Sequence, residues 1–233
     1  MNKSIRNKYF ICFGIILILL LADQALKIWI KTSFALGDGV DIFGSWFKLY
    51  FVENEGIAFG VSFGDKIGKL CLSLFRLIAS VFIMILLVKQ IKRDTRYSMI
   101  VSVSLIFVGA VGNLIDSCFY GIIFGESTRV SVATIFPEGG GYAPLFFGKV
   151  VDMLYFPICH WVWPDWVPWV GGNEAEFFNA IFNIADAAVC TGVALLVVDQ
   201  LFINPDNKKK VSEEAPNSAI PDAENDEKNT SQV

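Results

Sequence analysis

Two stretches of this chain, GNLID at Gly112–Asp116 and FNIAD at Phe182–Asp186, set an asparagine three residues before an aspartate inside long apolar runs. On a helix that spacing puts both side chains on one face. Asp23 lies in a third apolar run, with Lys27 one turn further on, and Asp152 interrupts the run KVVDMLYF. An unpaired carboxylate in hydrocarbon costs several kcal/mol, so acids at such positions face one another or a polar cavity. Two carboxyls about 3 Å apart cannot both ionise cheaply and share a proton. One then takes a proton from water while its protonated partner polarises a carbonyl, which is hydrolysis without a covalent intermediate. No H-E-x-x-H, Walker loop, dinucleotide fingerprint or G-x-S-x-G occurs, and the single histidine, His160, cannot build a zinc site alone. By residue type alone, Asp23, Asp116, Asp152 and Asp186 all stand as candidates.

The elements that must position these acids are membrane spans. The 233 residues are 54% hydrophobic and only 18% charged, with a mean hydropathy of +0.53, outside the ordinary soluble range. A spanning helix needs about 20 predominantly apolar residues. Four segments qualify, at about 9–30, 70–91, 98–119 and 177–203. The first begins after Lys3, Arg6 and Lys8 and lacks a small-residue cleavage site, so it reads as an uncleaved span. Basic residues gather at the N-terminus, at Lys89, Lys92, Arg93 and Arg96, and at Lys208, Lys209 and Lys210. The positive-inside rule makes these segments cytoplasmic. Both termini then lie inside, and the two long connections face outward.

At about 1.5 Å per residue, Asp23 lies roughly 21 Å along a hydrocarbon core of about 30 Å. Asn113 and Asp116 fall near the outer end of the third span, and Asn183 and Asp186 within the first three turns of the fourth. Arg76 occupies the outer part of the second. The polar faces therefore meet in one leaflet, around a pocket opening outward. Asp199, in VVDQ, falls near the inner end of the fourth span and is excluded from the cluster.

In the first outer connection, Trp46–Val52 is aromatic and alternating and predicts a strand, with ENEG as a turn. Gly56, Gly60 and Gly64 allow close backbone approach, so a small sheet at about 40–64 is expected on the outer face. In the second, Trp161, Trp163, Trp166 and Trp169 read as an interfacial aromatic belt. Cys118 and Cys159 could meet there as a disulfide. After Asn204 the chain turns polar and acidic, and 204–233 reads as a disordered cytoplasmic tail. The fold class expected is an all-α membrane protein, four transmembrane helices with a small β-rich periplasmic subdomain, residues 1–203 forming one membrane domain.

The motifs, taken in order, resemble those of the lipoprotein signal peptidases, the type II signal peptidases of bacteria. ADQALK at Ala22–Lys27 resembles D-x-x-x-K, and ENEGIAFG at Glu53–Gly60 resembles N-x-G-x-A-F. GAVGNLID at Gly109–Asp116 resembles G-x-x-G-N-x-x-D, VVDM at Val150–Met153 resembles V-V-D-F, and FNIAD resembles F-N-x-A-D. The resemblance covers about 9–203. It implies an aspartic endopeptidase of the inner membrane that removes signal peptides from diacylglyceryl-modified prolipoproteins, cutting before the lipidated cysteine. By motif position the catalytic pair is Asp152 and Asp186. Asn113, Asp116 and Asn183 organise the site and contact substrate, Asn54 and Gly56 belong to an outer cradle, and Asp23 and Lys27 give support. No cofactor or metal is called for, and the expected partners are lipid-modified prolipoproteins, membrane lipid and globomycin-type inhibitors. A monomer that binds no nucleic acid is expected.

Two departures stand out. The family commonly reads G-N-x-x-D-R, whereas Ser117 follows Asp116 here, and Arg76 or Arg129 could substitute. An insertion at about 117–149 separates this motif from V-V-D, as a lid or a partner surface. Two other readings compete: a small transporter or proton-conducting bundle, which predicts polar residues through the full membrane depth, and a scaffold using the acids as interhelical glue.

Overall fold

The computed structural model describes residues 2–56 and 65–203. Gly60, Gly64 and the tail 204–233 lie outside the described residues. The chain divides into a unit Met1–Leu196 and a second unit Val197–Val233.

Helix α1, Lys3–Ser33, starts at Asn2, whose side chain accepts the Ser4 N–H. It is followed by strands β1, Gly39–Phe43, and β2, Phe47–Asn54. Helix α2 is Asp65–Lys92 and helix α3 is Tyr97–Ile115. A π turn, Asp116–Tyr120, carries α3 into a last short turn, α4, Gly121–Ile123. Strands β3, Val150–Tyr155, β4, Cys159–Val162, β5, Glu174–Phe177, and β6, Ile181–Phe182, precede helix α5, Ile184–Val198. Asp199–Ile203 adds a second π turn, in the second unit.

Among the described residues four helical segments are long and apolar enough to cross a membrane: Lys3–Ser33, Lys66–Lys92, Tyr97–Ile123 and Ile184–Phe202. Their outer surfaces are apolar. Phe10, Phe13, Ile18, Phe75, Ile78, Phe82 and Ile85 are exposed, while Asp23, Lys27, Asp116 and Asn183 are fully buried. This inversion is what a lipid solvent selects, because only buried polar groups find partners there.

Helices α3 and α5 touch backbone to backbone. A Cβ at Gly109 would meet Ala185 O at 2.3 Å, and one at Gly112 would meet the Ala185 Cβ at 2.8 Å. Small residues at such a crossing let helices approach closely where packing, not hydrophobicity, drives association. The opposite end of the bundle closes on Lys8, which bonds Asp94 and the Thr95 carbonyl across the α2–α3 turn.

At the polar end lies an antiparallel sheet of order β1-β2-β3-β6. Phe51, Val151 and Met153 on its buried face pack with Ile30, Tyr120 and Phe124. A separate β4–β5 hairpin carries Trp161 and Trp163 edge to face, with Trp166 and Trp169 exposed between its strands.

The structure corrects two expectations. The fourth span begins at Ile184 rather than near 177, because Ile181 and Phe182 pair with Tyr155 and Leu154 and Asn183 stops the strand. The insertion begins after Ile123 rather than at 117, because the π turn prolongs the third span. A π turn's wider ring leaves carbonyls free, and the insertion satisfies them: Phe146 and Gly148 donate to the Cys118 and Ser117 carbonyls. Ser73 of α2 also donates to the Phe146 carbonyl, so the segment is a wall stitched to the bundle. Cys118 is buried and Cys159 exposed, and no disulfide joins the two.

Candidate active site

Asp152 is the third residue of β3, an inner strand of the sheet, opposite Val52. The residue is only 3% exposed. Its Oδ2 accepts from Asn54 Nδ2 at 3.1 Å and its Oδ1 from Asn183 Nδ2 at 2.7 Å. Asn54 is the last residue of β2, and its Oδ1 also accepts the Gly56 N–H at 2.7 Å. That Asx-type turn needs Gly56 at φ +82°, a left-handed conformation that favours glycine.

Asp186 lies in the first turn of α5, three residues after Asn183. Asn183 Oδ1 accepts the Asp186 N–H at 2.9 Å, and Asp186 Oδ2 faces the Asn183 N–H at 3.4 Å. This reciprocal pair is a capping box, with the carboxylate at the favourable end of the helix dipole. The other oxygen, Oδ1, accepts from Asn113 Nδ2 at 2.7 Å.

Two asparagines therefore bridge the acids. Asn183 Nδ2 reaches Asp152, the Asn113 Oδ1 at 3.1 Å and the Val151 carbonyl at 3.3 Å. Asn113 passes the chain on to Asp186. The run is Asp152, Asn183, Asn113, Asp186, with each amide turned by its neighbours.

Lys27 supports this chain from α1. It is fully buried and its ammonium bonds Asp23 at 2.9 Å, Asp116 at 2.8 Å and Asn113 Oδ1 at 3.0 Å. Three donors meet three acceptors, which is what a buried ammonium requires. Asp23 Oδ1 accepts the Ala185 N–H at 2.9 Å, holding the start of α5. Asp116 Oδ2 faces the Val151 N–H at 3.3 Å, holding β3 one residue before Asp152. All nine residues singled out in sequence thus belong to one connected region, with Asp23, Lys27 and Asp116 behind the two bridged acids.

Sequence reasoning missed several members. Gln24 donates to Asp116 at 3.0 Å and to Asp23 at 3.1 Å, and accepts from the Tyr120 hydroxyl at 3.1 Å. A glutamine inside an apolar span was the available signal. Lys31, also buried, pairs with Glu53 and bonds Ser127 at 2.9 Å, tying α1 to the sheet and the insertion. Arg76 of α2 donates to Ser117 Oγ at 2.7 Å, while Arg129 is exposed in the insertion.

Burial pushes the Asp152 carboxyl up to about 7, and the nearby Asp186 carboxylate pushes the same way. The amides of Asn54 and Asn183, and the Lys27 ammonium, pull against them. A proton held near neutral pH beside a second carboxylate can serve general acid–base chemistry on a carbonyl.

A family model described as Signal peptidase (SPase) II matches residues 15–202. A lipoprotein signal peptidase of Porphyromonas gingivalis is 46% identical over 186 residues, 79% of this chain and 80% of that protein. One from Amoebophilus asiaticus is 38% identical over 194 residues, 81% of this chain and 76% of its own length. Among solved structures, a bacterial membrane enzyme determined by the in meso method at 2.3 Å matches with a TM-score of 0.53 and 25% identity, over 87% of this chain and 90% of its own. A second, at 1.9 Å, matches with a TM-score of 0.54 and 26% identity, over 83% of this chain and 94% of its own. The transporter reading finds no support in these relatives.

Proposed function

Since the chain belongs to the signal peptidase II family and is therefore a membrane peptidase, we propose that it is an aspartic endopeptidase whose reacting groups are Asp152 and Asp186. Its substrates are diacylglyceryl-modified prolipoproteins, cut before the lipidated cysteine. The observation that carries this reading is the raised Asp152 carboxyl, joined to Asp186 through Asn183 and Asn113.

In this mechanism the pair shares one proton, held on Asp152. Asp186 takes a proton from water as the water oxygen bonds to the scissile carbonyl carbon, and Asp152 gives its proton to the carbonyl oxygen. The tetrahedral diol collapses when Asp186 protonates the leaving nitrogen and the C–N bond breaks. A hydroxyl of the diol returns its proton to Asp152, which restores the starting state. Lys27, Asp23 and Asp116 carry no proton in this cycle; they fix the backbones before Asp152 and Asp186. Asn54 and Gly56 hold one wall of the substrate cradle. The bundle sits with both termini cytoplasmic and the dyad toward the outer leaflet, residues 1–203 forming the peptidase. Globomycin-type inhibitors occupy the same cradle, and the protein acts as a monomer.

The test is cleavage of a lipid-modified precursor by the purified full-length chain in detergent. Asp152→Asn and Asp186→Asn each lower cleavage by about 100- to 10,000-fold while leaving thermal unfolding unchanged. A folded variant of either kind that cleaves at the parent rate removes the dyad assignment.

A further inference from the structure

Arg76 stands half-buried on α2 beside the site. Its Nη1 donates to Ser117 Oγ at 2.7 Å, and Ser117 donates in turn to the Asn113 carbonyl at 2.9 Å. The serine hydroxyl is thus oriented from α3, with a lone pair turned toward the guanidinium. Nη2 lies 3.6 Å from the point where a side chain on Gly56 would begin, so the fork borders the cradle turn. It lies within electrostatic reach of Asp186, Asp116 and Asp152. Yet among the described ion pairs the site's carboxylates at Asp23 and Asp116 are taken by Lys27, and none goes to Arg76. A guanidinium has five N–H donors in a rigid fork. One is used in fixing its direction, and Nη2 borders the turn at Gly56, part of the proposed substrate cradle.

We propose that Arg76, aimed by Ser117, grips the backbone of the bound signal segment by donating to a peptide carbonyl next to the scissile bond. This deepens the peptidase reading and rests on it. The contact exists in the bound ground state as well as during cleavage, so its loss acts on binding. It also assigns Ser117 a purpose: the hydroxyl is an acceptor short enough to let the arginine come from the neighbouring helix. Arginine is required rather than any cation, because lysine cannot hold Ser117 and a carbonyl in one plane.

Two measurements on the full-length protein in detergent test this. In steady-state cleavage of a lipid-modified precursor, Arg76→Ala lowers kcat/KM at least tenfold, mostly through KM, and Arg76→Lys recovers little. The exchange Arg76→Ser with Ser117→Arg, which returns a guanidinium to the same space from the π turn, recovers at least a third of the loss. In equilibrium binding of the fluorescent precursor to the Asp152→Asn protein, adding Arg76→Ala weakens affinity about tenfold. Unchanged affinity there overturns the contact whether or not the parent protein cleaves, so this result separates from a failure of the dyad. A loss confined to kcat, or an exchange variant no better than Arg76→Ala while equally stable to heat, overturns it as well.

Discussion

In GNLID, Asn113 lies in the last turn of α3 and Asp116 opens the π turn; in FNIAD, Asn183 stands before α5 and caps it while Asp186 fills its first turn. The spelling is shared, but the first pair is continuous helix and the second is a helix start. Asp116 is fully buried, paired with Lys27 and bonded by Gln24. Asp186 is only half-buried, and its hydrogen-bond donors are the Asn113 amide and its own cap, with the Arg76 guanidinium nearby but in no described ion pair with it. Asp116 is thus locked into a buried ion pair, whereas Asp186 is held by amide donors at a helix start. In the proposed mechanism, the acid in the buried ion pair supports the site and the other reacts in it.

The largest effect expected separates these acids. Asp186→Asn keeps an oxygen for the cap and lowers turnover of a lipid-modified precursor by about 100- to 10,000-fold, with the thermal midpoint unmoved. Asp116→Asn leaves a buried ammonium short of charge and destabilises the fold by about 3 kcal/mol, read as an earlier unfolding midpoint. If Asp116→Asn proves stable and inactive while Asp186→Asn unfolds, the distinction drawn between the two motifs is reversed.

Next in size is the contact that keeps the motifs together. A Cβ at Gly109 would stand 2.1 Å from Val189 Cγ2 and 2.3 Å from the Ala185 carbonyl. The backbone oxygen cannot step aside alone, so Gly109→Ala moves α5 away from α3. Overpacking of this kind costs about 1–3 kcal/mol, and a displacement near 1 Å at reacting groups lowers the rate by up to about 100-fold. Turnover that falls more steeply than stability places the damage in the Asn113–Asp186 bond; parent activity would mean that the crossing does not set their spacing.

A smaller effect divides the two tasks of Asn183. Serine caps helices as well as asparagine does, but its short side chain cannot reach Asp152. Asn183→Ser therefore keeps stability within about 0.5 kcal/mol and lowers turnover roughly tenfold, checked by parallel melting and cleavage assays. Equal losses in both would show the capping and bridging roles to be inseparable.

The spans, their polar end and the identity of the polar residues were legible because each rests on local rules. Apolar length declares a span, and an acid within it declares a partner. The division of labour among the acids was not legible by those rules. Nothing in GNLID or FNIAD announces that one Asn-x-x-Asp continues a helix while the other begins one; the six or seven residues before Asn183 look like span until Ile181 and Phe182 pair with β3. Asp152 stood out as an acid interrupting an apolar run, but what encloses it was not legible: the sheet order puts β3 between β2 and β6. Gln24 and Lys31 were hidden for a related reason, since their partners lie on other helices or in the insertion; Arg76 was named as a substitute at Ser117, and it bonds that residue. The resemblance to known motifs named Asp152 and Asp186 where local physics left four acids open.

The smallest effect sharpens the comparison at Asp152 itself. With one proton on the pair in the active form, raising the pH through about 7, where burial and Asp186 have pushed this carboxyl, removes that proton. The rate kcat/KM then falls on the alkaline side, with the midpoint belonging to the pair. Asn54 donates to the Asp152 carboxylate and so favours its ionised form. Asn54→Ala takes that donor away, leaving Asp186 on α5, Lys27 on α1, Asp116 beyond α3 and Arg76 on α2 unchanged. The proton is then held to higher pH, and the alkaline limb moves up. Because Asn54 is itself exposed, water replaces part of the bond. The shift is therefore about half a pH unit, less than the roughly one unit that a full charge-assisted hydrogen bond corresponds to. A pH–rate profile of the parent and Asn54→Ala proteins decides it: a limb that moves down, or one centred near the ordinary aspartate range in both, would mean that Asp152 enters the reaction as a base, and the roles of Asp152 and Asp186 would exchange.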